Sequence, residues 1–437
     1  MKTRWTLSVA RTSALVVLAG LLAAPLSANI EVIYTKIPGH PTAAVPGALA
    51  LNGNPLASDF RALEDLFLSP DGSMWMVKGR TQAIPDEENI LILGSGLSGT
   101  MFSQEGQPIP GGAANEIVDF FGSAIGQFNA NNDFVYTVRA RGGVASVFQK
   151  VVVYDGTNHC VVWQMGDLYT GLVDVLANPS GDETIGNSIG SVHITNAGRV
   201  GAQDSTILNI HTSKRPAIFY ADYMGCQPAS PSFHMFQQTN ETTVIPLGGG
   251  APVLWKTLTA NGFFTSLDGS RWLTRGQIVG PPTTSDDVLA VDGQVVIQEG
   301  TPLPGDPSIM VNSIVVAFFG ADNQWYARGT TAGGGVWAVR EGQLIAKTGS
   351  PVTPCGGENW GTAFLALAAN GVGDWVLVGS TDNPNAGADN VMVLNGQSVV
   401  VREGDSVDIP GWGEAKIGRA SGASRFIHIC IGERRRD

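Results

Sequence analysis

Two short patterns in this chain spell chemistry that their surroundings do not support. Gly186–Gly190 reads GNSIG, the Gly-x-Ser-x-Gly spacing of a serine nucleophile, with Ser188 at its centre. That chemistry needs the serine on a sharp strand-to-helix turn, so that the hydroxyl stands clear of a parallel sheet. No helical periodicity follows Ser188. Gly94–Gly99 reads GSGLSG, the spacing of a dinucleotide-binding loop. Such a loop holds a pyrophosphate at a helix N-terminus, yet Thr100–Gly106 reads as a strand. Gly94–Gly99 is predicted to be a glycine-rich hairpin turn, and Gly186–Gly190 leads into the third repeat. The six histidines, His40, His159, His193, His211, His234 and His428, include no pair at metal-ligand spacing. The cysteines, Cys160, Cys226, Cys355 and Cys430, form no C-x-x-C, and three disulfide pairings are open to them.

Acids and aromatics that recur are better candidates. "TMFSQEGQPIPG" (Thr100–Gly111), "QVVIQEGTPLPG" (Gln294–Gly305) and "SVVVREGDSVDIPG" (Ser398–Gly411) are near-copies, and they place Glu105, Glu299 and Glu403 in equivalent positions. Trp360 in GGENWG and Trp412 in PGWGEA sit among glycines in connecting segments, where an aromatic is expected to be exposed. These five residues are the candidate ligand-binding set. The loop Ser380–Asn390 carries Asp382, Asn385 and Asp389, oxygen donors of the kind Ca²⁺ takes, at a spacing foreign to an EF-hand. No cofactor is expected and no catalytic residue is assigned. An enzyme would show carboxylates in unmatched positions, whereas these are matched by repetition.

The elements that must position these residues are strands. The chain has 437 residues with 56 Gly and 24 Pro. Gly and Pro are scattered between runs of Val, Ile, Phe, Trp and Thr, the pattern of many short strands joined by turns. Asp-Gly turns recur in "SPDGSMW" (Ser69–Trp75) and "SLDGSRW" (Ser266–Trp272), because glycine takes the positive φ such turns need. Weaker spellings lie at Asn129–Asp133, Thr195–Arg199, Gly320–Trp325, Asn370–Trp375 and Ala420–Ser424. Exits interleave with them at Pro46-Gly47, Pro110-Gly111, Thr170-Gly171, Gly248–Gly250, Pro304-Gly305, Thr353–Gly357 and Pro410-Gly411. The sixth unit shows strands near Phe364–Leu367, Trp375–Gly379, Val391–Leu394 and Val399–Arg402. Four antiparallel strands in repeats this long are the blade pattern of a β-propeller.

The predicted fold is therefore all-β: one seven-bladed β-propeller over residues 29–437, closed by an N-terminal strand, Ile30–Lys36, beside the C-terminal hairpin. Six blades or two β-domains are the alternatives. The turn tryptophans Trp75, Trp272, Trp325 and Trp375 are expected to be wedges between blades. The last unit is short of strands and ends on a charged stretch, Glu433–Asp437.

The Glu-Gly-x-x-x-Pro-Gly endings, and Asn-x-x-Gly turns followed by an apolar strand, resemble exported bacterial proteins with tandem NxxGxxAF-type repeats. In this chain the small-aromatic pair after the turn is often replaced by tryptophan, and the sequence ends on HICIGERRRD rather than on a sorting segment. The resemblance implies export and a propeller-like repeat. It implies no established activity and carries no site residue over.

Charge and targeting signals narrow the function. Lys2, Arg4 and Arg11 precede an apolar run, Ala14–Leu26, which reads as a secretory signal cleaved after Ala28. No later stretch is long and apolar enough to span a bilayer. Net charge is −12; residues 1–28 hold three cations and no acid, so the mature chain carries −15. An acidic chain repels phosphate backbones, which argues against nucleic acid as partner. The sequence thus predicts an exported monomer, extracellular or periplasmic, that is not an enzyme and binds a protein or glycan through loops on one face. The alternative is a propeller-type hydrolase or lyase acting on a carbohydrate.

Overall fold

In the computed structural model, residues 33–432 are described apart from 37–38, 52–58, 123–125, 144–148, 170, 173–180, 224–232, 372, 410, 412 and 419–430. The signal segment, the seventh turn at Ala420–Ser424, Trp412, Cys226, Cys430, His428 and the terminal Glu433–Asp437 lie outside the described residues.

The strands form a β-propeller of six blades, each an antiparallel meander in chain order. Blade 1 runs through Phe60–Leu68, Met74–Thr81, Asn89–Ser95 and Ser98–Gln104. Blades 2 to 6 span residues 117–164, 189–238, 253–298, 306–347 and 360–402. Blade 6 consists of Trp360–Ala369, Trp375–Thr381, Asn390–Leu394 and Ser398–Arg402, each overlapping a strand expected from sequence. A further sheet, Ser406–Ile409, Gly413–Ile417 and Ile431–Gly432, has three strands and shares an apolar cluster with blade 6 through Ile409, Ala415 and Ile417. The expected seven blades are therefore six complete ones among the described residues. The expected N-terminal strand is also corrected: residues 33–36 are irregular, and Tyr34 lies against Phe60 and Trp75 of blade 1.

The first six predicted turns all join the first strand of a blade to its second. The positive φ they need falls on Gly72, Asn132, Gly198, Gly269, Asn323 and Gly373. In five of them the side-chain oxygen of the first turn residue (Ser69, Asn129, Thr195, Ser266 or Asn370) accepts the amide that opens the second strand. Neighbouring turns also bond to one another. Asn129 Nδ2 donates to Thr195 O, Asn196 N to Leu267 O, Leu267 N to Asn323 Oδ1, and Gly371 N to Pro70 O. The last of these brings the sixth turn onto the first.

The turn tryptophans share one register. Trp75, Trp272, Trp325 and Trp375 each pair with the last residue of the preceding strand, Leu68, Thr265, Phe319 and Ala369. Three are buried and Trp272 is half-buried. Trp272 meets Phe236, on the outer strand of blade 3, edge to face at 4.7 Å, so it does wedge two blades.

Candidate functional site

Each blade passes its chain to the next sheet through a reciprocal pair of backbone bonds. On leaving blade 1, Gly106 N donates to Val118 O and Val118 N donates to Gln107 O. The pair recurs at Gly166 with Ile185, Asn240 with Trp255, Gly300 with Val311, Gly349 with Trp360, and Gly404 with Ile417. All six receiving residues are buried. The slot thus demands an apolar side chain packed where the next innermost strand begins. Trp360 fills it in blade 6, 5% exposed and edge to face with Phe364 at 5.2 Å. It is a wedge, and the expectation of an exposed aromatic is corrected: the neighbouring glycines serve the turn, while the slot itself faces the core.

The three matched glutamates each stand one residue before the same junction, and the side chains of Glu105 and Glu403 are turned back on their own blades. Asn89 N and Nδ2 both donate to Glu105 Oε2, at 3.1 and 2.6 Å, and Glu105 is buried. Asn390 Nδ2 donates to Glu403 Oε2 at 2.7 Å. Glu299, partly exposed, takes the same backbone position, its amide donating to Asp287 O. Burial pushes the Glu105 carboxyl above its ordinary range against the pull of the Asn89 bonds. Burial, with Asp287 and Asp286 nearby, raises that of Glu299. The acids occupy equivalent places in blades 1, 4 and 6, as the repeat implies, but the structure does not bring them together.

Ser188 is exposed on the connection into blade 3, and no helix follows it. Gly94–Gly99 is the hairpin between Asn89–Ser95 and Ser98–Gln104, as expected. The Ser380–Asn390 loop is held by protein groups: Asn359 N and Nδ2 both donate to Asp382, each at 2.8 Å, and Asn385 Oδ1 accepts Gly387 N. Among the described residues no group of three His, Cys, Asp or Glu is placed to hold a metal ion. Cys160 is disulfide-bonded and Cys355 is a free thiol.

Sequence reading missed a second set of acids beside the same junctions. Glu116 is buried with Lys150 (3.1 Å), which also donates to Gln164. Glu358 accepts from Thr381, Asn383 and Arg402 at 2.6, 2.9 and 3.1 Å. Glu116, Glu183 and Glu358 each lie two residues before a slot residue, a spacing that repetition could have revealed. Also missed were large apolar residues exposed on this side. Leu254 and Met310, each one residue before its slot, are 37% and 42% exposed in neighbouring blades, and Val279, whose amide donates to Leu254 O, is 43% exposed.

No protein-family model matches the chain, and no curated protein matches it. Solved structures do resemble it. Prolyl oligopeptidase B from Galerina marginata aligns at 11% identity and a TM-score of 0.42, over 81% of this chain and 46% of that one. An oligogalacturonate lyase in complex with manganese aligns at 10% identity and 0.41, over 78% of each chain. The chain spans about half the length of the oligopeptidase it resembles. At such identity and score the likeness concerns the fold, and nothing about activity is drawn from it. Among the described residues no helix is long and apolar enough to cross a membrane.

Proposed function

We propose that this chain is an exported, non-enzymatic scaffold that binds a protein or glycan through the connections on the side where chain passes between blades. The observation that carries this reading is the placing of Leu254, Val279 and Met310. Large apolar side chains at matched positions of neighbouring blades are exposed there, Leu254 and Val279 side by side, and exposed apolar residues gathered on one side of a fold are candidates for an interaction site. The matched acids support a structural role for the repeat itself, since Glu105 and Glu403 are engaged within their own blades. The disulfide at Cys160 supports export, because such bonds persist in oxidising compartments. Membership of the NxxGxxAF-type repeat proteins rests on the turn and exit motifs. A seventh repeat, divided between the two ends of the chain, is part of the same reading. Ile417 enters its sheet by the coupling that opens the blades, and Tyr34 meets Trp75 much as Phe236 meets Trp272.

One panel of glycans tests binding against turnover. Retention without product, lost in a Leu254→Ser, Met310→Ser double variant that still folds, is the expected result. Product released from any glycan would replace this reading with that of a carbohydrate-active hydrolase or lyase.

A further inference from the structure

One pairing recurs at the outer edge of every blade. The residue that ends the fourth strand, two before the junction, faces one residue of the third strand. The pairs are Ile90 with Gln104, Lys150 with Gln164, Ala217 with Gln238, Val288 with Gln298, Trp337 with Lys347 and Val391 with Arg402. In five blades the third-strand member is apolar and no more than 1% exposed. Blade 2 alone puts a lysine there, and Lys150 is 2% exposed. Burying an ammonium costs far more than burying the apolar side chain it replaces, so packing does not account for the lysine.

Its surroundings supply the groups of an acyl transfer. Lys150 Nζ donates to Gln164 Oε1 at 2.6 Å and stands 3.1 Å from Glu116 Oε1. With a carbonyl bond of ~1.2 Å, Gln164 Cδ lies roughly 3–4 Å from Nζ. Reacting atoms held about 3–3.5 Å apart are poised to react. Glu116 is buried and fixed: its Oε2 accepts Ala113 N at 2.8 Å, and a Cβ on Gly112 or Gly143 would press on its side chain. Asp167 also touches the carboxamide residue, accepting from Gln164 N at 3.0 Å and from the Gln164 side chain. Burial pushes the Asp167 carboxyl above its ordinary range, against the pull of those bonds and of Lys150.

We infer that Lys150 and Gln164 become joined by an amide between their side chains once blade 2 has folded. Glu116 takes one proton from the Lys150 ammonium. The free amine attacks Gln164 Cδ, the Nζ–Cδ bond forms, and a second proton passes from Nζ to Nε2 by way of Asp167. The Cδ–Nε2 bond breaks, and ammonia leaves with the proton that Glu116 had taken. The balance needs no oxidant and no co-reactant. The step happens once per molecule, so it need not be fast. Its product is a neutral amide where the other blades hold apolar residues. It fastens the outer strand, which has a neighbour on one side only, to the rest of the sheet. Blade 6 has a similar corner with Arg402 against Glu358, but a guanidinium stays protonated and does not attack.

The test is the mass of the unmodified full chain, purified folded and then denatured and reduced, followed by tryptic mapping. The expected result is a chain lighter by one ammonia, about 17 Da, than its sequence requires. The loss should map to one branched peptide that joins Lys150 to Gln164. Glu116→Gln leaves both partners in place and should restore the full mass in a folded sample, as should Lys150→Arg. Full mass in the unmodified chain, with residues 150 and 164 in separate linear peptides, would overturn the proposal without any variant. So would an ammonia loss that maps instead to an Asn-Gly step such as Asn261-Gly262 or Asn395-Gly396. A branched peptide formed equally in folded Glu116→Gln would remove the base, and the proposal with it.

Discussion

Trp360 and Glu105 show how a residue that advertises binding can be taken up by architecture. Trp360 fills an apolar slot that Val118, Ile185, Trp255, Val311 and Ile417 fill elsewhere. Trp360→Ala should therefore cost about 3–5 kcal/mol in urea denaturation, the range for emptying a core aromatic site. An unchanged midpoint would return Trp360 to the surface. Burial works against the ionised form of Glu105. Its folded carboxyl titrates above the unfolded one, so the group favours folding below the unfolded value and loses that contribution as pH rises through the folded one. Glu105→Gln keeps an oxygen for the Asn89 bonds. It should raise the melting temperature at pH 7 and leave it nearly unchanged at pH 3; a gain of equal size at both values would contradict the sign. Neither role was legible from sequence, because glycine neighbours say that a turn is near and do not say which way the next side chain points.

At the scale of elements the repeat was legible where it is local. Asp-Gly and Asn-x-x-Gly fix a turn within five residues, and all six described turns fall where the sequence placed them. What escaped notice is non-local. The first strand of each blade is interrupted by a bulge, as at Val311/Ser313 in blade 5. The glycine opposite in the second strand (Gly79, Gly276, Gly329, Gly379) is forced by it, since a Cβ there would overlap the carbonyl oxygen of Ala62, Thr257, Ser313 or Ala363. Three of these glycines follow a cation, and Arg328 reaches past the bulge to the carbonyls of Phe364 and Leu365 in the next blade at 2.8 and 3.0 Å. Gly329→Ala should destabilise by about 1–3 kcal/mol, while Gly333→Ala, whose Cβ would meet nothing nearer than 3.9 Å, should fall within ~0.5 kcal/mol of the parent. Equal effects at the two sites would remove the bulge from the account. The exits obey a second rule. The apolar residue just before six of the seven (Val45, Ile109, Tyr169, Leu303, Val352, Ile409) is buried, and at the Gly248–Gly250 exit Leu247 is partly buried. Leu303→Ala should cost about 2–5 kcal/mol, read from the denaturation midpoint; a surface-like value would contradict its role as anchor.

For the whole molecule, the seven-fold count came from counting turns and exits, whereas the described residues form six complete blades and one three-stranded sheet. Among the described residues the sixth turn meets the first, Gly371 N donating to Pro70 O, while Tyr34 and Val45 pack on blade 1. Leu49 and Gln104 tie the same N-terminal segment to the outer strand, Leu49 N donating to Gln104 Oε1 and Gln104 Nε2 to Leu49 O. The disulfide adds a constraint on the unfolded chain, so Cys160→Ser should cost about 2–5 kcal/mol, while Cys355→Ser, a free thiol, should change little; the reverse order would contradict the assignment. The central claim is that the repeated junctions, with their paired backbone bonds and buried apolar slot residues, hold blade to blade. Amide exchange of the six slot residues tests it most directly, since exchange through local opening reports how firmly each junction is held. The account predicts that Val118, Ile185, Trp255, Val311, Trp360 and Ile417 exchange as slowly as the central strands of their blades, and that all six behave alike. Exchange of Trp360 and its equivalents at the rate of exposed loops would contradict it.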